Sequence, residues 1–313
     1  MAINTPIAFI VFNRPRHTRK TFDSIRSQKP TQLFVIADGP RIGHPTDAAN
    51  CQAVRDIVSQ VDWPCTVHHN FSEINLGCKN RVISGLDWVF ENVDRAIILE
   101  DDCLPNDDFY RFCEMLLERH QYDERVMTIT GNNFQDGQKR GEAAYYFSKY
   151  NHIWGWATWR RAWLKNNANL PFWPEWKKSQ DWVSHSPYKA ERDYWTNIFD
   201  RMYRNEIDTW DYPWTACIWH HGGLIATPQV NLVTNIGFGP DGTHTLSKKD
   251  QEGLPTYALG VITYPKSIEQ NQEADRYVFD YLLGGIDKQW PWWLLRLPKR
   301  IIKKIARLIQ DHL

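Results

Sequence analysis

The chain of 313 residues is long enough for one large domain or two small ones. Its 37 basic and 37 acidic residues leave no net charge, so nothing in the bulk electrostatics points to a nucleic-acid partner. Apolar and charged fractions of 42% and 24% are those of an ordinary soluble globular protein, and no run is long and apolar enough to predict a bilayer span.

The opening residues 1–12 lack the basic segment and apolar length of a secretory signal, which predicts a cytoplasmic protein. Residues 7–12 read as a strand and 16–28 as a helix. A second strand over 32–37 ends at Asp38-Gly39-Pro40, a turn signal. Residues 46–61 follow as a helix with Thr46 as N-cap, then 65–69 as a short strand. The clearest helix is 76–91, where Val82, Ile83, Leu86, Val89 and Phe90 share one face. A strand over 96–99, a helix over 108–119 and a strand over 126–130 complete the first half. Such alternation predicts an α/β fold with a mostly parallel central sheet flanked by helices. The second half is rich in Trp, punctuated by Pro171, Pro174, Pro187 and Pro213, with a helix predicted over 188–205.

The six Cys (Cys51, Cys65, Cys78, Cys103, Cys113, Cys217) make no C-x-x-C pair and no zinc-like spacing. They read as reduced, buried thiols. The 16 Trp suit stacking on sugar rings, and equally suit a core or a membrane interface.

The most informative stretch is Ile97-Ile98-Leu99-Glu100-Asp101-Asp102, a short apolar run ending in three adjacent carboxylates. Like charges at a buried strand end repel and lose hydration, so a cation is expected among them, Mn²⁺ or Mg²⁺ being the usual oxygen-ligated choice. A solvated acidic turn is the alternative. In parallel sheets ligands bind beyond the carboxyl ends of strands, where Asn13-Arg14, Asp38 and the acidic triplet all fall.

Taken together, six segments resemble the nucleotide-sugar-dependent glycosyltransferases of the GT-A fold, among them N-acetylglucosaminyltransferase I and bacterial family-2-type enzymes. They are Phe9-Ile10-Val11-Phe12-Asn13-Arg14-Pro15, Val35-Ile36-Ala37-Asp38, Asn75-Leu76-Gly77, Ile98-Leu99-Glu100-Asp101-Asp102, Trp154-Gly155-Trp156-Ala157-Thr158-Trp159-Arg160-Arg161 and Gly239-Pro240-Asp241-Gly242-Thr243-His244. The resemblance implies a GT-A catalytic domain over 1–245, with a nucleotide-binding half (1–135) and an acceptor half (136–245), followed by a C-terminal extension over 246–313. It implies a metal-dependent, inverting hexosyl- or N-acetylhexosaminyltransferase that moves sugar from a UDP-linked donor to a glycan or lipid-linked acceptor in surface-polysaccharide assembly.

Residue by residue, the resemblance gives Asp38 a pyrimidine N3–H to accept, Arg14 the base or phosphate, and Glu100 and Asp101 the ribose or sugar hydroxyls. Asp102 matches the family's metal ligand, and His244 completes the metal sphere or bonds a phosphate. Gly155 and Trp156 line the sugar pocket, the glycine allowing close approach and the indole offering a stacking face, unless these Trp are core. The general base is expected at Asp211, with Asp208 as the second candidate and a helix N-cap as the structural alternative for Asp211. A sugar-nucleotidyltransferase shares the fold type, but expects a Gly-rich loop after the first strand, where Asn13-Arg14-Pro15-Arg16 has no Gly. A non-catalytic sugar-binding or membrane-active protein is the third reading.

After Pro298, Ile301, Ile302, Ile305, Leu308, Ile309 and Leu313 recur at helical spacing, with Lys299, Arg300, Lys303, Lys304 and Arg307 on the other face. With Trp290, Trp292 and Trp293 ahead of it, this basic amphipathic helix suits an anionic membrane surface and predicts a peripheral protein on the inner face. Packing of the helix on the catalytic domain is the other reading.

Overall fold

A computed structural model describes residues 3–238 and 253–288. The first half alternates β1 (Ile7–Val11), α1 (Pro15–Gln28), β2 (Gln32–Ala37), α2 (Asp47–Val58), β3 (Thr66–Phe71), α3 (Gly77–Asn92) and β4 (Arg95–Glu100). It continues through β5 (Cys103–Pro105), α4 (Asp107–Arg119), β6 (Val126–Thr130), β7 (Tyr145–Ser148) and β8 (Trp156–Trp159). Short helices α5 (Arg160–Trp163), α6 (Trp173–Trp176) and α7 (Gln180–His185) lead to α8 (Lys189–Tyr203) and α9 (Asp211–His220). Strands β9 (Leu224–Pro228) and β10 (Val233–Asn235) and helix α10 (Gln272–Tyr277) follow.

The eight-stranded sheet has the order β3-β2-β1-β4-β8-β6-β9-β7. Strands β3, β2, β1 and β4 are parallel, as are β6 and β9, whereas β8 runs antiparallel between β4 and β6 and β7 antiparallel to β9. This is the expected α/β architecture with a mostly parallel sheet. Period-two alternation assigns each strand residue to one of two cores. Ile7, Phe9 and Val11 join Leu33, Val35, Ile97 and Leu99 beneath α1, α2 and α4, through Phe22, Ile25, Val54, Phe109 and Phe112. Ala8, Ile10, Phe34, Ile36 and Ile98 face α3 and the Trp-rich helices, through Leu86, Val89, Trp163, Trp173 and Trp214. Covering both faces explains why every residue of β1 is buried.

Two local expectations shift. Thr46 stands at the N-cap of α2 without a side-chain cap bond, and the helix ends at Val58, short of residue 61. The buried Asp47 instead accepts from Arg41 and from Asn13 Nδ2 (2.7 Å), tying α2 to the end of β1. All six cysteines are free thiols, with Cys65 and Cys78 only half-buried. The described part of the C-terminal extension straps the outer sheet edge: Asn271 N donates to Phe147 O (2.7 Å), and Asp275 accepts from Ser148 Oγ and Lys149 N. His244 and the predicted basic tail helix lie outside the described residues.

Candidate active site

Parallel pairing of β1 with both β2 and β4 sets Val11 opposite Ala37 and Ile10 opposite Glu100, so the three carboxyl ends emerge side by side. Arg14, just before Pro15 opens α1, reaches across to the end of β4. Its guanidinium bonds Asp102 Oδ2 through Nη1 (3.0 Å) and Asp101 Oδ1 through Nη2. Thr21 Oγ1 of α1 donates to Asp101 O (2.9 Å), fixing the turn that presents the acids. Asp101 Oδ2 is buried with no hydrogen-bond partner.

Burial pushes Glu100 up to about 8, reinforced by Asp102 and Asp101 and opposed by Arg14. Burial also raises Asp101 to about 6, although Arg14 pulls it down. Burial works against the charge of Arg14, yet Asp101, Asp102 and Glu100 together raise its pKa. A single guanidinium therefore stands against three carboxylates in a poorly hydrated place.

The antiparallel pair of β10 and β5 brings a further segment over Asp102. Ile236 N donates to Asp102 O (2.8 Å), and Gly237 N donates to Asn235 Oδ1 (2.8 Å). Gly237 packs so closely that a Cβ there would fall 2.1 Å from Asp102 Oδ2. His17 Nε2, on the first turn of α1, lies 3.0 Å from Ile236 O. Gly237 and His17 were not singled out from the sequence. Nothing local marks them, because their placement depends on a strand pairing between residues far apart in the chain.

A further acidic group stands at the start of α9. Asp211 is the first residue of that helix, Trp210 holding the cap position, so the cap alternative for Asp211 does not hold. Thr209 Oγ1 donates to Asp211 Oδ1, and Thr215 Oγ1 to Asp211 O (2.9 Å). The Asp211 carboxylate adds to the rise of Glu100. Burial raises the Cys78 thiol at the start of α3, and Glu100, Asp211 and Asp208 raise it further. Asp208 Oδ2 approaches Gly77, 3.7 Å from where a Cβ would stand. Asp211 and Asp208 thus lie near enough to Cys78, and Asp211 to Glu100, to act on them electrostatically.

Three expected roles change. Asp38 accepts from Gly39 N and Leu76 N (both 2.9 Å) on Oδ1, and from Gly77 N and Asn75 Nδ2 (both 3.1 Å) on Oδ2. A carboxylate has about four lone-pair sites, so none remains for a base N3–H; Asp38 fastens the start of α3. Gly155 has φ +71, and a Cβ there would meet Val233 Cγ2 at 2.8 Å, so its close approach is to β10 and not to a ligand. Trp156 is wholly buried, stacked on Trp210 at 5.5 Å and packed with Trp163 and Trp214, and it has no face for a sugar. Outside these, Lys79 bonds Asn205 (3.4 Å), and His220 stacks on Phe172 at 4.0 Å.

No group of three or more His, Cys, Asp or Glu side chains with metal-binding geometry occurs among the described residues. The carboxylates at this strand end would hold a cation only with further oxygen ligands from outside the chain. Mg²⁺-type sites often use one or two carboxylates plus phosphate oxygens and water. Asp102 offers such a carboxylate beneath a backbone stripped of side chain at Gly237, next to the orphaned Asp101 Oδ2.

No family model matches the chain, and no curated protein matches it. Parts of the chain are similar to solved structures of glycosyltransferases and nucleotidyltransferases. One is the mannosyltransferase PcManGT from Pyrobaculum calidifontis in complex with GDP-Man and Mn²⁺, at 13% identity and TM-score 0.35 over 51% of this chain. The match spans 46% of that mannosyltransferase, less than half its length. Another is the galactosyltransferase LgtC, at 13% identity and TM-score 0.37 over 71% of this chain and 73% of that one. A UDP-glucose pyrophosphorylase complexed with UDP-glucose matches 52% of this chain and 79% of its own, at 6% identity and TM-score 0.30.

Proposed function

We propose that this protein is a nucleotide-sugar-dependent glycosyltransferase, inverting and metal-assisted, with a UDP-linked hexose or N-acetylhexosamine as donor. The observation that supports the reading is the pairing of Arg14 with Asp101 and Asp102 at the carboxyl edge of the sheet, with Asp211 near enough to act on Glu100. Glu100 and Asp101 meet ribose or sugar hydroxyls, Arg14 meets the diphosphate, and Asp38 shapes the base wall by holding the start of α3. Asp102 would hold the cation together with phosphate oxygens, and His244 would join it. Bound there, a divalent ion neutralises the charge that develops on the departing nucleoside diphosphate.

Asp211 takes the proton of the acceptor hydroxyl as its oxygen attacks the anomeric carbon from the face opposite the leaving group. Thr209 orients that carboxylate by donating to Oδ1. The acceptor is a glycan or lipid-linked sugar of surface-polysaccharide assembly, met at an anionic membrane by the basic tail. No helix among the described residues is long and apolar enough to cross a membrane.

The test is a donor screen with Mn²⁺ or Mg²⁺ that reads the released nucleotide. Release of nucleoside diphosphate dependent on acceptor, lost in Asp102→Ala, supports the reading. Release or uptake of pyrophosphate with sugar phosphate and nucleoside triphosphate moves the protein to the nucleotidyltransferases. Absence of turnover and of UDP binding removes the enzyme reading.

A further inference from the structure

A cavity of about 380 Å³ lies against the edge strand β7. It is four strand spacings, about 19 Å, from β4 and its acidic end. Its floor is His120 at the end of α4 and Tyr145 of β7, both buried and joined at 2.9 Å through Nε2 and the phenol oxygen. Three exposed cations surround it: Arg119 at the end of α4, Arg125 ahead of β6 and Lys266 on the strap. Glu269 is the one carboxylate among the described lining residues, and it accepts from Ser267 Oγ at 3.0 Å. Arg125 already holds Asp123 through two bonds (3.0 and 2.7 Å). Arg119 and Lys266 have no carboxylate partner among the described residues. Arg119 is instead laid on the Tyr264 ring, its guanidinium carbon 3.8 Å from the centroid. The stack fixes the guanidinium plane, whose N–H edge then matches two oxygens of one oxyanion.

A helix C-terminus ordinarily disfavours an anion, and α4 ends here. Arg161 offsets this by donating to His120 O (2.8 Å), Gln121 O (2.9 Å) and Val126 O (3.0 Å). The local field shows at His120: burial first, then Arg119, with Arg161 and Arg125, hold its imidazole down at about 4 against the pull of Asp123.

We infer that this cavity is a second binding site for a sugar-sized anion, a sugar bearing a phosphate or a carboxylate. Three cations against one carboxylate set the sign of the charge. The volume sets the size, since small-molecule pockets begin at about 300 Å³ and a bare ion would leave most of this one unfilled. Arg119 and Lys266 meet the oxyanion, and Ser267 and Glu269 meet sugar hydroxyls. The ligand also ties α4 to the strap, because Lys266 stands just ahead of Gln270, which bridges to Phe147 of β7. A free sugar phosphate and an acidic residue of a glycan both carry this chemistry. The inference stands without the donor reading.

Calorimetric titration of the full chain tests it, with glucose 6-phosphate, trigalacturonate, inorganic phosphate and glucose as probes. One or both sugar anions bind at one site per chain, and glucose does not. Binding of glucose 6-phosphate alone identifies a free sugar phosphate as the source, and binding of trigalacturonate alone an acidic glycan. Glu269→Gln removes the opposing charge and tightens the bound probe by roughly two- to fivefold, while Lys266→Gln weakens it by a similar factor, the range for exposed charge contacts. Arg119→Gln weakens it more. Melting temperatures establish that each variant is folded, and the exposed Lys266 and Glu269 carry the comparison where Arg119→Gln is not. Asp102→Ala leaves the affinity unchanged; loss of binding there places the probe at the donor site and overturns the inference while the donor reading stands. Inorganic phosphate binding as tightly as the sugars overturns the sugar assignment. No binding of either sugar anion, or an affinity indifferent to Arg119, Lys266 and Glu269 alike, overturns the site.

Discussion

Gly237 and Asp102 are separated by 135 positions and by less than one methyl group: a Cβ at 237 would lie 2.1 Å from Asp102 Oδ2. The contact leaves no room for a Cβ, since a side chain there must move either the acid or the segment above it. Gly237→Ala is expected to lower stability by about 1–3 kcal/mol, the usual range for overpacking. It should weaken Mn²⁺-dependent UDP binding by more than that loss of stability explains. Calorimetry below the melting temperature checks it; parental affinity in the variant would show that the site adapts.

Asp211→Asn is expected to bind donor normally and to lose about 10²- to 10⁴-fold in turnover, the range for removal of a general base. Asp208→Asn, altered near the start of α3, should retain most of the turnover. The reverse outcome moves the base to Asp208. Paired kcat and UDP Kd measurements on the two variants decide between them.

Trp156 belongs to the core. Its indole Nε1 is buried without a hydrogen-bond partner, so removing that N–H sacrifices no bond. Trp156→Ala should cost about 3–5 kcal/mol in stability, as for large aromatic truncations. Trp156→Phe should cost less and leave UDP affinity within about twofold, a comparison read by melting and calorimetry and resting on packing alone. A selective loss of sugar-donor affinity in Trp156→Phe would return the residue to the pocket.

His185 stacks on Trp182 and sits 4.7 Å from the Trp219 ring, and burial and Lys149 depress it to about 3. The unfolded chain takes up this proton below about 6.5, while the native state refuses it until about 3, so the contribution of His185 is lost as pH falls through that window. The stability difference between the parent and His185→Phe should shift in favour of the variant by about 1.4 kcal/mol per pH unit below about 6.5. Urea titrations at pH 7 and pH 5 measure it, and a difference independent of pH would refute the buried neutral imidazole.

For the tail, a chain ending near Asp287 is expected to bind UDP like the full protein and to lose sedimentation with anionic liposomes. Each basic side chain near such a surface contributes about 1 kcal/mol, so several are enough for reversible attachment. Equal sedimentation of both chains would leave the tail as a packing element.

By itself the sequence determined what depends on local periodicity. The strand over 32–37 and the strand over 126–130 match β2 and β6 end to end, since a short β-branched run between turn residues reads the same alone and in the sheet. The grouping of Arg14 with the acidic triplet was legible too, because parallel strands with short βα turns bring their carboxyl ends together. The tertiary structure decided where a residue's chemistry was already spent. Asp38 stands at the carboxyl end of its strand, yet the backbone of residues 75–77 fills its acceptor sites. Trp156 and Gly155 lie in a motif-like stretch, yet β8 enters antiparallel between β4 and β6 and turns them toward Trp210 and Val233. Gly237 and His17 became visible only when β10 paired with β5. Periodicity records which face a residue takes; only the folded chain fixes which distant group already occupies that face.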